Sequence, residues 1–330
     1  MAPKVLLTQE IHPEVQARLA RSAELVVAPD TSADTLRRCA VGCSVVVVRA
    51  QLPDDIFDVA PSLIGAVRHG AGIDMIPIDA ATAHGVLVAN VPGANAIAVA
   101  EHALRSMLEL ARAAPVMADA LYAGRSAAWK KARAMADRGF ELSGRTLGLI
   151  GYGNVGRALA RMCSQGLGMK VLTCTRKALP LGEAWATREP LADLLQNSDF
   201  VVLACPLTHE TRGLVGATEL ALMRPGAFLV NVARGPVVVE AALVDALRSA
   251  RLAGAAIDVF DQPPLPDDHP FWALPQVLVT PHVAGITEES MSRMGAGAAG
   301  AVEQILRGDI PENCVNPQAI SAFKARFSTG

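Results

Sequence analysis

No Cys-x-x-Cys pair occurs among the six cysteines (Cys39, Cys43, Cys163, Cys174, Cys205, Cys314), and no His/Cys cluster has the spacing of a zinc site. Neither a disulfide framework nor a metal centre is indicated, and scattered free thiols fit a reducing compartment. No run of 18 apolar residues is present, and the apolar stretch near the start meets charged residues too soon to form a signal-peptide core. A cytoplasmic protein is expected. An excess of one charge is missing too: 30 Lys and Arg against 32 Asp and Glu leave a net −2, without an acidic or basic tail. That balance argues against nucleic acid or an anionic membrane as the main partner, and for a small molecule. Tandem repeats of the solenoid kind are absent as well.

What is present is an ordinary globular composition. Hydrophobic residues at 51% and charged residues at 19% argue against disorder, and 330 residues are enough for two domains. From Lys4 to Val91, short β-branched runs (Val5 to Leu7, Leu25 to Val27, Val45 to Val48, Leu63 to Val67, Val86 to Val88) alternate with helical stretches such as Glu14 to Arg21 and Thr35 to Cys39. This alternation predicts a parallel sheet built from βαβ units. Asn95 to Arg112, Ala/Leu-rich and free of Gly and Pro, predicts one long helix. After a polar, basic stretch (Lys130 to Arg138), a second set of strands is expected at Thr146 to Ile150, Lys170 to Cys174, Phe200 to Leu203, Ala227 to Val230, Gly254 to Asp258 and Val277 to Thr280. Glu288 to Arg307 reads as a helix that can return to the first sheet.

The strongest local signal is a strand running into Gly151-Tyr-Gly153-Asn-Val-Gly156 and an Ala-rich helix. Gly151 allows a tight turn, Gly153 lets backbone approach a pyrophosphate, and Gly156 permits close helix packing, while the helix N-terminus offers N–H groups to phosphates. An NAD-selecting loop would place Asp or Glu at the end of the next strand; here the strand ends in Thr175-Arg176-Lys177. Thr175 can hydrogen-bond a 2′-phosphate, and Arg176 and Lys177 add charge-assisted donors. NADP(H) is therefore preferred over NAD(H), which remains possible if the two cations are only solvated loop charges.

Two further loops place ionisable groups just after predicted strands, where open parallel sheets bind ligands: Asn231-Val-Ala-Arg234-Gly-Pro and Thr280-Pro-His282-Val-Ala-Gly. A histidine there can act as general acid or base and an arginine can clamp a carboxylate, although either can also be a turn with a structural side chain.

Ordered stretches now accumulate: Gly70-Ala-Gly-Ile-Asp74, Val91-Pro-Gly-Ala-Asn95, Val99-Ala-Glu-His102, Glu141 to Gly153, Pro206-Leu-Thr-His-Glu-Thr-Arg-Gly213, Asn231 to Gly235, Ile257-Asp-Val-Phe260 and Thr280-Pro-His282. In these the chain resembles the D-isomer-specific 2-hydroxyacid dehydrogenase family, which includes glyoxylate/hydroxypyruvate reductases and phosphoglycerate dehydrogenases, over nearly its whole length. The resemblance implies an α/β fold of two Rossmann-like doubly wound parallel-sheet domains, the first discontinuous. Residues 1–97 and 288–330 would form a flavodoxin-like substrate-binding domain, and 98–287 a dinucleotide-binding Rossmann domain.

The same resemblance implies roles. Arg234 would bind the substrate carboxylate and polarise the 2-oxo group, and His282 would protonate its oxygen as hydride arrives. The N–H groups of Ala71 and Gly72 would hold the other side of the carboxylate, with Arg49 near the substrate's anionic end. Asp258 would hydrogen-bond the nicotinamide carboxamide, and Asn154, Val155, Cys205, Pro206, Thr211, Ala233, His282 and Gly285 would line the cofactor. A homodimer is the usual assembly.

One departure stands out. The family carries a glutamate five residues beyond the aspartate, where it orients the catalytic histidine; ungapped alignment puts Pro263 there. Three outcomes are open. Gln262, Asp261 or a domain-swapped carboxylate takes over; the enzyme works slowly with an acid-shifted optimum; or reductase activity is lost.

Arg68 and His69 flank the Gly-Ala-Gly loop and read either as pocket-lining or as structural. His12, His84, His102, His209 and His269 lack a partner pattern and read as structural or capping groups, and Phe271-Trp272 read as core packing ahead of a cover for the site or a dimer surface. The resulting expectation is an NADP(H)-preferring reductase of small 2-oxo acids, glyoxylate or hydroxypyruvate first. Its alternatives are an NAD-dependent phosphoglycerate-type dehydrogenase and a catalytically weak dinucleotide sensor on the same fold.

Overall fold

The computed structural model describes residues 2–176 and 183–327. The chain divides into two compact units: one comprises the segment up to Asn95 together with that from Ile286 onward, the other Ala96–Gly285.

In the first unit, strands β1 (Lys4–Leu7), β2 (Glu24–Val27), β3 (Val45–Val48), β4 (Gly65–Arg68) and β5 (Leu87–Ala89) form an all-parallel sheet in the order β2-β1-β3-β4-β5. The period of two along each strand splits the core. Val5, Leu7, Val45, Val47 and Val67 face the helix Glu288–Leu306 through Ala298, Ala299, Val302 and Ile305. Leu6, Val46, Val48 and Ala66 face Leu36 and Ala40 of helix Ala33–Ala40, with Phe57. Because both faces are covered, β3 is four consecutive buried valines. The outer edge of β5 is capped by the C-terminal segment, where Val315 N donates to Val88 O (2.7 Å) and buried Asn316 pairs with Val88 N and Val86 O.

The second unit is a seven-stranded parallel sheet of β6 (Thr146–Ile150), β7 (Lys170–Cys174), β8 (Thr187–Arg188), β9 (Phe200–Leu203), β10 (Ala227–Asn231), β11 (Leu252–Ile257) and β12 (Val277–Val279), in the order β12-β11-β10-β9-β6-β7-β8. Leu147, Leu149, Val202 and Val230 pack against Ala100, Ala103 and Met107 of helix Ala96–Ala111 and Leu159 and Ala160 of helix Asn154–Arg161. Ile150, Val201, Leu203 and Leu229 build the core on the opposite face. Both units are doubly wound α/β sheets, as expected. Strand order reverses between β1 and β3 in the first and between β6 and β9 in the second, which marks the C-terminal ends of those strands as ligand-binding positions.

Several boundaries differ from expectation. Leu63 and Val86 lie ahead of β4 and β5 because their N–H groups close the preceding turns onto Ala60 O and Ala81 O. Asp258 lies just past β11 instead of ending it. The polar, basic stretch Lys130–Arg138 belongs to helix Ala114–Met135 and the 3₁₀ turn Ala136–Arg138. That helix buries only Ala132 and breaks at Arg125 (φ 47°), next to Gly124, so it has helical propensity but no apolar stripe to announce it. Among the described residues no helix is long and apolar enough to cross a membrane, and no group of three or more His, Cys, Asp or Glu is placed to hold a metal.

Candidate active site

The expected site residues of the second unit gather on one edge of its sheet. Gly151, Gly153, Asn154, Val155 and Gly156 follow β6; Thr175 and Arg176 follow β7; Cys205, Pro206 and Thr211 follow β9. Ala233 and Arg234 follow β10, Asp258 follows β11, and His282 and Gly285 follow β12. Lys177 lies outside the described residues.

Close packing explains two of the three loop glycines. Gly151 adopts φ 102° and a Cβ there would lie 2.7 Å from Cys205 N, while a Cβ on Gly156 would meet Gly151 O at 2.3 Å. Gly153 differs, because a Cβ there would meet nothing within 4 Å. It opens helix Asn154–Arg161, whose first N–H groups have no side-chain cap. An open cradle lined by N–H donors at the positive end of a helix suits a pyrophosphate, so the residues present fit a dinucleotide. Beyond β7 there is no carboxylate at Thr175 or Arg176. Instead, Arg176 Nη1 donates to Glu210 Oε2 at 2.6 Å, from the loop after β9.

After β10 the chain is held by buried Asn231, whose Oδ1 accepts from Ala233 N and whose Nδ2 donates to Arg234 O, both at 3.0 Å. Arg234 is extended (φ −147°), and Gly235 follows it so closely against the next loop that a Cβ would lie 2.0 Å from Phe260 C. Backbone contact thus fixes where the guanidinium starts.

Asp258 organises the histidine loop. Its carboxylate, 2% exposed, accepts from Thr280 Oγ1 (2.6 Å) and Val283 N (2.9 Å) through Oδ1 and from Ala284 N (3.0 Å) through Oδ2. Its main-chain carbonyl accepts from His282 N at 2.8 Å, and His282 sits at φ 56°, a left-handed conformation that a non-glycine residue adopts only when its surroundings impose it. From helix Ala96–Ala111, His102 Nε2 reaches Thr280 Oγ1 at 3.3 Å. Burial holds its imidazole below the ordinary pKa, against the pull of the Asp258 carboxylate.

In the first unit the loop after β4 is tied down by its carbonyls. Gly70 O accepts from Val91 N (2.8 Å), Ala71 O from Asn90 Nδ2 (2.7 Å) and Gly72 O from Arg68 Nε (2.9 Å). The N–H groups of Ala71 and Gly72 donate to no acceptor among the described residues. Arg68 also donates to Val48 O and His69 O, which makes it a brace of this loop. Arg49, after β3, donates to Glu10 O, and its N–H to Thr8 Oγ1. His69 is buried, its Nε2 lacks a hydrogen-bond partner, and burial, helped by the charges of Arg49 and Arg68, lowers its pKa to about 4.

Pro263 is exposed, in a cis peptide bond with Pro264, and neither Asp261 nor Gln262 makes a side-chain hydrogen bond or ion pair among the described residues. Phe271 is core, but Trp272 is 56% exposed, so the expectation of core packing fails for the second aromatic. The reason is that its indole N–H turns outward to Pro266 O. His269 caps the 3₁₀ turn Pro270–Ala273 and pairs with Glu240 at 2.9 Å. Residues that sequence reasoning passed over are Asn231, Thr280 and Glu210, each inside a quoted stretch but without a spacing that reveals its partner.

A family profile described as D-isomer specific 2-hydroxyacid dehydrogenase, NAD binding domain, matches residues 104–284. A glyoxylate reductase from Pyrococcus furiosus is 36% identical over 294 residues, covering 87% of this chain and 86% of that protein. A D-3-phosphoglycerate dehydrogenase from Methanocaldococcus jannaschii is 34% identical over 319 residues, 95% of this chain, which spans only 59% of that longer protein. Among solved structures, an NADPH-dependent glyoxylate/hydroxypyruvate reductase from Sinorhizobium meliloti in complex with NADP and malonate superposes with a TM-score of 0.83 at 29% identity, covering 97% of this chain and 98% of that one. The chain belongs to the D-isomer specific 2-hydroxyacid dehydrogenase family, and so to the oxidoreductases.

Proposed function

We propose that the chain is an NADP(H)-preferring reductase that interconverts a small 2-oxo acid and its D-2-hydroxy acid, with glyoxylate and hydroxypyruvate as first substrates. The observation that carries this reading is that the glycine cradle, the Arg234 loop and the Asp258-held His282 loop follow the C-terminal ends of β6, β10 and β12 of one parallel sheet. The preference for the phosphorylated cofactor rests on Thr175-Arg176, where NAD-selecting loops carry a carboxylate.

In this mechanism a bound reduced nicotinamide supplies the hydride. The guanidinium of Arg234 binds the substrate carboxylate and draws electron density from the 2-oxo group. The N–H groups of Ala71 and Gly72 donate to the carboxylate as well, and the carbonyls of Gly70, Ala71 and Gly72 are already engaged by Val91 N, Asn90 Nδ2 and Arg68 Nε. Arg49 serves the far end of a substrate that carries a second anionic or hydroxyl group. His282 donates a proton to the oxygen as C2 is reduced, and takes it back in the oxidation direction. Asp258 directs its remaining lone pair to the carboxamide. The chain acts as a homodimer, a reading supported by helix Ala114–Met135, which leaves Tyr122 (83%) and Trp129 (68%) exposed. Light scattering at micromolar concentration tests the assembly.

A panel of 2-oxo acids, including 3-phosphohydroxypyruvate, assayed by loss of reduced-nicotinamide absorbance with NADPH and NADH tests the activity. Turnover of glyoxylate or hydroxypyruvate with NADPH is expected. Preference for the phosphorylated acid with NADH would replace this reading by the phosphoglycerate-type one. The proline at 263 favours a second reading, a catalytically weak dinucleotide sensor, which cofactor binding without turnover of any acid would support.

A further inference from the structure

Helix Ala96–Ala111 carries one imidazole that the proposed mechanism does not use. His102 Nε2 lies 3.3 Å from Thr280 Oγ1 and 3.9 Å from Asp258 Oδ1, with its side chain 13% exposed. Elimination assigns the protons. An ionised carboxylate only accepts, so the 2.6 Å contact is a donation from the Thr280 hydroxyl to Asp258 Oδ1. With its proton committed there, that hydroxyl can only accept from His102, which therefore presents Nε2–H.

The chain of bonds has a directional result. Oδ1 of Asp258 receives Thr280 Oγ1–H and Val283 N–H and is saturated, while Oδ2 receives only Ala284 N–H. One lone pair is left on the carboxylate, and it belongs to Oδ2. The same bonds close the turn that holds His282 at φ 56°.

We propose that His102 is a positioning residue: by holding the Thr280 hydroxyl toward Asp258 it saturates Oδ1, leaves Oδ2 as the oxygen that receives a nicotinamide carboxamide N–H, and steadies the turn that carries His282. This inference rests on the reading of Asp258 as the carboxamide acceptor. A leucine at 102 would leave the half-buried Thr280 oxygen without its His102 donor, releasing its hydroxyl to rotate away and freeing Oδ1 to compete for the carboxamide.

The test is equilibrium binding by calorimetry to the cofactor-free full-length protein. The probes are oxidised NADP and its 3-acetylpyridine analogue, whose acetyl group has no N–H to donate. His102→Leu should weaken NADP binding about fivefold and leave analogue binding unchanged, and Thr280→Val should do the same. His102→Gln, which restores an N–H of similar reach, and Thr280→Ser should recover most of the loss. Amide exchange at Val283 and Ala284 should be faster in His102→Leu than in His102→Gln, with no cofactor present. Asp258→Ala separates the two claims. If it weakens NADP and analogue equally, the carboxamide assignment fails and the role given to Oδ2 falls with it. If it discriminates between them while His102→Leu weakens both equally or neither, the inference about His102 is overturned and the reading of Asp258 stands.

Discussion

Arg176 and Glu210 form an ion pair at 2.6 Å between the loops after β7 and β9, and both side chains are largely exposed. The cation expected to grip a 2′-phosphate is thus already engaged by a carboxylate of the same protein. A phosphorylated dinucleotide would have to displace Glu210, or bind beside it against like-charge repulsion. Exposed pairs contribute at most about 1 kcal/mol, so the competition is worth up to about fivefold in affinity. Glu210→Gln should tighten NADPH binding by that order and leave NADH unchanged, and Arg176→Ala should abolish the difference between the two cofactors. Fluorescence titration with each nucleotide measures it; weaker NADPH binding in Glu210→Gln would mean that the carboxylate orients Arg176 instead of occupying it.

Gly235→Ala should be severe although it adds one methyl group. The new Cβ would lie 2.0 Å from Phe260 C, and backbone cannot move aside as a flexible side chain can. Overpacking of this kind costs about 1–3 kcal/mol or more, and relief would shift the start of Arg234. The expected outcome is a fall of at least about 100-fold in kcat/KM with a lowered Tm, since a misplacement of about 1 Å at a reacting group has that effect. Melting curves beside steady-state kinetics check it, and an unchanged kcat/KM would remove the guanidinium of Arg234 from the mechanism.

Asn90→Ala removes the amide that ties Ala71 O at 2.7 Å. The freed peptide can then rotate, changing the direction of the Gly72 N–H that belongs to it. KM for the 2-oxo acid should rise about tenfold with cofactor affinity unaffected, a loss in the range of one hydrogen bond. Inhibition by a non-reducible carboxylate such as malonate gives the same comparison without turnover.

His69 links pH to stability. Its pKa is lowered to about 4 in the folded chain, first by burial and then by Arg49 and Arg68, against about 6.5 when unfolded. The unfolded state therefore binds the proton more tightly. The contribution is complete above about pH 6.5 and is lost progressively as pH falls toward about 4, with an upper bound on the order of 3 kcal/mol. In His69→Leu the urea midpoint should change less between pH 7 and pH 4.5 than in the parent. An identical slope in both would assign the acid sensitivity to other groups.

The glycine turn after β6 and the loops after β10 and β12 were legible as elements because they depend on local order: a buried strand and the turn residues that end it are adjacent in sequence. The parallel sheets were legible for the same reason, since valine-rich runs such as β3 cannot be mistaken for a half-exposed strand. Partnerships across loops were not. Arg176 and Glu210 are 34 residues apart, and nothing in either local pattern points to the other. Asp258 was expected as a cofactor ligand, but its bonds to Val283 N and Ala284 N are made to backbone groups, which have no residue type to read. Helix Ala114–Met135 escaped because a helix that buries almost nothing has no 3.6-residue stripe.

The helix Glu288–Leu306 supplies much of one wall of a core, beside Val15 and Leu19 of helix Pro13–Leu19, whose other wall is made of strands some 200 residues earlier in the chain. Synthesis consequently leaves β1 to β5 with one hydrophobic side only partly covered while some 200 further residues emerge. The continuous unit Ala96–Gly285 can complete itself in that interval. Nascent β1 to β5 are therefore the segment for which a chaperone has most to shield, and the release of residue 306 from the ribosome sets when that need ends.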